Sequence, residues 1–186
     1  MAKLELPKTL FLPLGDLLFQ KHKDSQIKIK DYFTLKCGKT PFTKNLEYYE
    51  NGTIKWINSG VLTNSFVLTD DTEPSKLITE KAVQEKKLKF TKKKTVLFSL
   101  IGLNITWCWS DNFVYTHSII SFENEKELNC ATLFFALRQV NLKKHASGCV
   151  FQALTKSGLS NMKIDWVANP KKQKIFLTLL SYNKKV

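Results

Sequence analysis

The sequence predicts an α+β fold: a mixed, twisted sheet with packed helices, followed by a short C-terminal helix. Short apolar runs bounded by turn residues recur through the first two-thirds of the chain, which is the pattern of strands. The long helical patterns gather in the last third, from about Glu125 onward. With 186 residues, 43% of them hydrophobic and 12% aromatic, the chain suits one domain, or one domain plus an appendage, and can bury a substantial core.

The elements follow in order. Residues 1–26 read as a lead-in segment; Leu10 to Phe19 is apolar but interrupted by Pro13 and Gly15, so one helical turn is expected there. Ile27 and Ile29 alternate with Lys28 and Lys30 as in a half-buried strand. Asp31 is placed to cap a short turn carrying Tyr32 and Phe33. Gly38 and Pro41 punctuate a loop, and Pro41 holds Thr40 extended. Asn51-Gly52 signals a tight turn into a strand at Thr53 to Ile57. Asn58 to Ser75 is polar and turn-rich.

Lys81 to Lys94 contains seven lysines and one glutamate, a solvated face or flexible loop on one reading and a phosphate-tracking patch on another. Strands are expected at Thr95 to Leu103, Asn104 to Trp109 and Phe113 to Phe122, with a turn at Asp111-Asn112. The clearest helix runs from about Glu125 to Lys144, with Asn124 as cap and Lys143 and Lys144 at its negative end. Leu128, Ala131, Phe134, Phe135 and Leu137 give it a broad apolar face. His145 to Asn161 reads as a glycine-punctuated loop and Met162 to Val167 as a closing strand. Asn169-Pro170 then starts a last helix with proline in its first turn.

Charge narrows the function. The balance of 29 basic against 16 acidic residues leaves +13, which favours a polyanionic partner. Arg138 is the only arginine, so phosphates are met by lysine point charges, and base reading falls to Asn, Gln, Ser, Thr and Lys rather than to guanidinium forks. The excess of lysine is also what an AT-rich genome produces. The cysteines Cys37, Cys108, Cys130 and Cys149 are scattered without zinc spacing, as expected of reduced, mostly buried thiols. No cofactor or metal site is expected. The longest apolar run, Val96 to Leu103, is too short to span a bilayer, and the chain reads as cytoplasmic.

Catalytic motifs are missing. Gly38-Lys39-Thr40 has the tail of a phosphate loop but no glycine five residues earlier. Asn169-Pro170-Lys171 does not match the Asn-Pro-Pro-aromatic segment of amino-methylating DNA methyltransferases. His117 and His145 read as structural or exposed histidines. No enzyme activity is expected.

Several segments in order carry a resemblance. Lys36 to Gly60 joins Gly-Lys-Thr-Pro, a Tyr-Tyr pair, Asn-Gly and Ile-Lys-Trp-Ile. Thr-Val-Leu-Phe-Ser-Leu follows from Thr95, a helical stretch at Asn129 to Asn141, and Ala-Ser-Gly with Lys-Ser-Gly-Leu-Ser-Asn-Met-Lys-Ile within His145 to Ile164. Pro170 with Gln173 and Ile175 opens the last helix. This order, over Ile27 to Leu180, resembles the target recognition domain of type I restriction–modification specificity subunits.

Such subunits bind double-stranded DNA and direct a methyltransferase (M) subunit, and with it a restriction (R) subunit, to a sequence. The resemblance implies a recognition domain at residues 27–168 and the truncated start of a spacer helix at 169–186. Complete specificity subunits carry two recognition domains separated by two long helices. One such domain implies a half subunit that self-associates or pairs with another half, or a fragment. Leu103 to Trp109 is also bulkier than the family's small-residue pattern. A non-DNA-binding interaction module or decayed specificity-subunit fragment is the alternative reading.

On the first reading, Lys39, Lys44, Lys55, Lys92 and Lys93 are the phosphate candidates. Thr43, Asn45, Tyr48, Tyr49, Asn58, Ser59, Ser147 and Gln152 are the base-reading candidates, on loops held by a sheet. Core packing is the competing role for Tyr48, Tyr49 and above all Trp56. Ile175, Phe176, Leu179 and Leu180, on one side of the last helix, are the partner-binding candidates.

Overall fold

The computed structural model describes residues 8–63, 66–148 and 152–182. In chain order it begins with α1 (Lys8–His22), β1 (Ser25–Lys28), α2 (Ile29–Tyr32) and β2 (Thr34–Cys37). A single 3₁₀ turn (Leu46–Tyr48) precedes β3 (Ile54–Ile57), α3 (Ser59–Thr63), β4 (Val67–Leu68), β5 (Lys76–Ile78) and α4 (Glu80–Lys86). Then come β6 (Thr95–Ser99), β7 (Ile105–Cys108), β8 (Phe113–Tyr115) and β9 (Ile119–Glu123). The last third holds α5 (Glu127–Arg138), a second 3₁₀ turn (Leu142–His145), α6 (Lys156–Asn161), β10 (Lys163–Trp166) and α7 (Pro170–Tyr182).

β6 is buried at every residue, so both its faces need cover and both its edges need partners. It lies at the centre of a five-stranded sheet in the order β2-β9-β6-β7-β4, antiparallel except for the parallel β4–β7 edge. The period-two alternation of a strand divides its side chains. Val96 and Phe98 join the core that contains α5. Leu97 joins a second cluster with Ile57, Phe113, Tyr115 and Ile119. That second cluster links the main sheet to a smaller one, β5-β3-β8, in which β3 and β8 run parallel. A third, two-stranded ribbon pairs β1 with β10.

The sheet is mixed and helix-packed, as the sequence predicts, but several boundaries differ. The apolar run Phe113 to Phe122 is two strands in two sheets, because Thr116-His117-Ser118 turns the chain between β8 and β9. The lysine-rich segment begins with a capped helix: the Thr79 hydroxyl accepts from Ala82 N–H, Ala82 is buried, and Lys87 closes α4 in left-handed geometry. The expected Glu125–Lys144 helix is shorter. Asn124 accepts from Lys126 N–H at 2.7 Å, ahead of α5 and not as its cap. Lys143 and Lys144 fall in the separate 3₁₀ turn, which folds back to bury Leu142. Asp31 lies inside α2 and does not cap it. The presumed loops at Asn58 to Ser75 and His145 to Asn161 contain α3 and α6.

The largest departure is α1, a 15-residue helix with Pro13 inside it. Its packing outweighs the lost N–H of proline. Phe11 meets Phe135 edge-on at 6.1 Å, and Phe19 meets Phe176 at 5.9 Å. Gly15 lies so close to α5 that a Cβ there would sit 2.0 Å from a Phe135 ring carbon. Beside it, Arg138 grips both oxygens of Asp16 at 3.0 and 2.7 Å, and Gln139 adds a third bond at 2.9 Å. The only arginine of the chain therefore joins two helices of the scaffold.

α7 covers another side of α5, starting from Pro170, with buried Gln173 donating to the Val167 carbonyl at 2.8 Å. Of the three described cysteines, Cys108 and Cys130 are buried and Cys37 is exposed. Cys149, residues 1–7 of the lead-in and the expected helix end at Val186 lie outside the described residues.

Two outcomes follow from this packing. Gly15→Ala adds about 1 kcal/mol of helical preference, yet overpacking against Phe135 should lower stability by a net 1–3 kcal/mol, roughly. Urea denaturation reads this directly, and an equal or higher midpoint would contradict the seam. Burial pushes the Cys108 and Cys130 thiols up to about 12, so iodoacetamide at pH 8 should modify Cys37 in the native protein and those two only after unfolding, as read by peptide mass mapping.

Candidate nucleic-acid interface

The strand register sorts the loops onto two ends of the main sheet. At one end Cys37 opposes Ile120, Ser99 opposes Ile119 and Phe98 opposes Ile105. At the other end Thr34 opposes Glu123 and Thr95 opposes Cys108. The length of β6 separates them, about 13 Å.

At the first end the loops form a row joined by main-chain hydrogen bonds. Gly38 and Lys39 N–H donate to the Ile119 and Tyr115 carbonyls at 3.2 and 2.9 Å. Thr116 N–H donates to Ile57, and Leu100 N–H to Ser118. Leu154 N–H then donates to Leu100, Gly102 N–H to Gln152, and Ser147 exchanges two bonds with Ala153 at 3.0 Å each. Gly38 is required by its close approach: a Cβ would lie 2.0 Å from the Tyr115 carbonyl oxygen. A groove of about 340 Å³ between Gly102, Leu103, Asn141, Lys143 and Gln152 brings the Leu142–His145 turn to the same row. Leu103 is held at φ +58°, in the left-handed region that side chains with a Cβ seldom occupy.

The row has one sign of charge. Segments 38–45, 58–60, 100–104, 116–118, 141–148 and 152–154 contain Lys39, Lys44, Lys143 and Lys144 and no aspartate or glutamate. All four lysines are exposed. Oriented polar groups stand among them. Asn58 Oδ1 accepts from Gly60 N–H at 2.9 Å, and the Ser59 and Ser118 hydroxyls lie 2.8 Å apart. Thr43, Ser147 and Gln152 are exposed. Asn45 caps the first 3₁₀ turn by accepting from Glu47 N–H at 3.2 Å.

The other end is paired. Lys92 meets Glu123 at 3.3 Å, Lys93 meets Asp111 at 3.0 Å, and Lys94 meets Glu127 at 2.9 Å. The Lys93 bond holds the Asp111 carboxyl below its ordinary range and raises the lysine in turn. Lys55 donates to the Asp70 carbonyl and lies over the Phe113 ring. A groove of about 680 Å³ at this end alternates Lys92, Lys94 and Lys126 with Glu123, Glu125 and Glu127.

The sequence-nominated residues therefore separate. Lys39, Lys44, Thr43, Asn45, Asn58, Ser59, Ser147 and Gln152 lie in the loop row or in the loop leading from it. Lys55, Lys92 and Lys93 lie at the opposite end; Lys92 and Lys93 are paired with carboxylates, while Lys55 donates to a main-chain carbonyl, as Lys39 does to that of Lys86 at 3.2 Å. Tyr48 is buried, donating to Glu85 at 2.6 Å, and Tyr49 is half-buried, donating to the Pro41 carbonyl at 3.1 Å. Both belong to the smaller sheet's core with Trp56. Phe176, Leu179 and Leu180 are buried within the chain's own core, and Ile175 is half-exposed. Residues of the row that the sequence reading did not nominate are Lys143 and Lys144, read as a helix end, and Thr40, Thr116, His117 and Ser118. The polar triplet inside the Phe113 to Phe122 run was the available signal.

Among the described residues, no helix is long and apolar enough to cross a membrane, and no group of three His, Cys, Asp or Glu could hold a metal ion. A family model described as "Type I restriction modification DNA specificity domain" matches residues 23–186. Solved structures share the fold. The type I restriction–modification S subunit from M. genitalium superposes with a TM-score of 0.59 at 20% identity, over 86% of this chain and 39% of that one. The HsdS subunit from Thermoanaerobacter tengcongensis gives 0.61 at 13% identity, over 95% and 44%. A chain from a structure on complex assembly and conformational transition of the type I R-M system gives 0.63 at 14%, over 95% and 45%. The protein thus spans less than half the length of each of these solved chains.

Proposed function

Because the chain belongs to the type I restriction modification DNA specificity domain family, we propose that it reads a duplex DNA sequence and directs a partner methyltransferase, with its restriction subunit, to that site. The observation that carries this reading is the acid-free loop row. DNA recognition needs cations that fix register on the phosphates and oriented short polar groups that meet base edges. The row offers both on one surface, whereas Lys92, Lys93 and Lys94 of the far end are paired with carboxylates. The protein would act without chemistry of its own, as the specificity component of a larger complex, in the cytoplasm where the DNA lies.

Directing a methyltransferase requires a second surface. Of the four residues of α7 nominated for it, only Ile175 has side-chain surface free to meet a partner. We assign the methyltransferase contact to the outward side of that helix. Co-purification of the full chain with a methyltransferase subunit, lost on Ile175→Asp with the fold retained, would support this; retention would move the contact elsewhere.

Duplex affinity should fall with salt. Four row lysines on four phosphates give a slope of log affinity against log salt near −4, approximately. Lys39→Ala with Lys44→Ala should flatten that slope by about 2, while Lys92→Ala with Lys93→Ala should leave it nearly unchanged. A flat wild-type response, or the reverse pattern between the two pairs, would overturn the assignment of the row as the DNA surface.

A further inference from the structure

His117 stands in the middle of the loop row with its ring fixed from behind. The turn that carries it is hydrogen-bonded to Ile57 on one side and Leu100 on the other. Its neighbours Thr116 and Ser118 are buried, while His117 is exposed. Nδ1 lies 2.9 Å from Thr40 Oγ1, which in turn lies 2.7 Å from Thr116 Oγ1. Thr40 is itself fixed by the close packing of Gly38 on the Tyr115 carbonyl and by the Lys39–Tyr115 main-chain bond. Among the described residues, nothing hydrogen-bonds Nε2.

Resting on the DNA reading above, we propose that His117 is a specificity-determining residue whose Nε2–H selects a hydrogen-bond acceptor on a base edge, and that Thr40 is its positioning residue. The Thr40–Nδ1 contact accommodates either donor; with the Thr40 hydroxyl donating, the ring proton resides on Nε2. A donor with a set direction distinguishes acceptors such as guanine O6 and N7 or thymine O4 from the amino groups of adenine and cytosine. The row's lysines, with long flexible stems, meet phosphates without that directionality. The imidazole has the orientation that they lack, because hydroxyls behind it hold the ring.

The test sequences the fraction of a random duplex pool retained by the full chain, for wild type, His117→Ala, Thr40→Val and Thr40→Ser, with a thermal melt of each. The expected result is a wild-type motif in which His117→Ala relaxes one position by about tenfold. Discrimination elsewhere and the salt slope should be preserved. Thr40→Val should relax the same position, and Thr40→Ser should restore it, a rescue that a packing role for Thr40 would not show. Uniform loss across all sequences would mean that His117 meets a phosphate, and overturns the proposal. An unchanged motif in His117→Ala overturns it too. If wild type retains no duplex at all, the DNA reading itself falls and takes this inference with it; retention with an unchanged motif sinks the inference alone.

Discussion

The structure depends on burying one helix on every side. From Cys130 to Leu137 no residue of α5 is exposed, so the helix has no solvent face and must be enclosed by apolar layers. β6 and β7 cover one flank, β10 another, and α1 and α7 the rest. Each covering element shows the constraint locally. β6 presents Val96 and Phe98 to it, α1 gives up a side chain at Gly15, and α7 turns Phe176, Leu179 and Leu180 inward. Arg138, at the helix's end, locks its carboxylate partner on α1 and stacks near Phe134. Because α5 backs β6, the packing that encloses the helix also fixes the end of the sheet from which the loop row projects.

Electrostatics then divides the sheet. Both ends carry lysine, but their surroundings differ. A lysine beside a carboxylate contributes little field at a distance, because the pair is nearly neutral beyond a Debye length. Lys92, Lys93 and Lys94 are in that condition. Lys39, Lys44, Lys143 and Lys144 are not: among the described residues none of them forms an ion pair. Net charge alone, +13 for the chain, does not reveal this division; it depends on which lysines the fold places beside which acids.

Much of the architecture was legible in sequence because period-two and helical patterning report burial directly. β3, β6, β7 and β10 lie within the short apolar runs that the sequence marks, and α7 starts at Pro170. What escaped was governed by tertiary contact. Pro13 and Gly15 read as helix breakers, yet the contact with Phe135 makes Gly15 a requirement of α1. α4 was hidden because the lysines that follow it, from Lys87 to Lys94, dominate the local composition, while its burial rests on Ala82 and on Leu88 beyond its end. α5 looked longer because the lysines at 143 and 144 mimic a helix terminus. In the loop row, exposed polar residues were legible by type alone. The lysines at 55, 92 and 93 could not be sorted from those at 39 and 44, because ion-pair partners such as Asp111 and Glu123 lie at positions that only the sheet register brings near. Tyr48 and Tyr49 were ambiguous for the same reason: an aromatic ring looks alike in sequence whether it faces a base or a core.

The stitching of the loop row has a consequence for how such a surface changes over generations. Its loops are held to one another mainly through main-chain N–H and carbonyl groups, which are common to every residue except proline. Side chains that face outward from the row, at Thr43, Ser147 or Gln152, are therefore interchangeable in principle without loosening the frame that aims them. Substitution at those positions therefore changes the chemistry that the row presents while leaving the position of its loops in place.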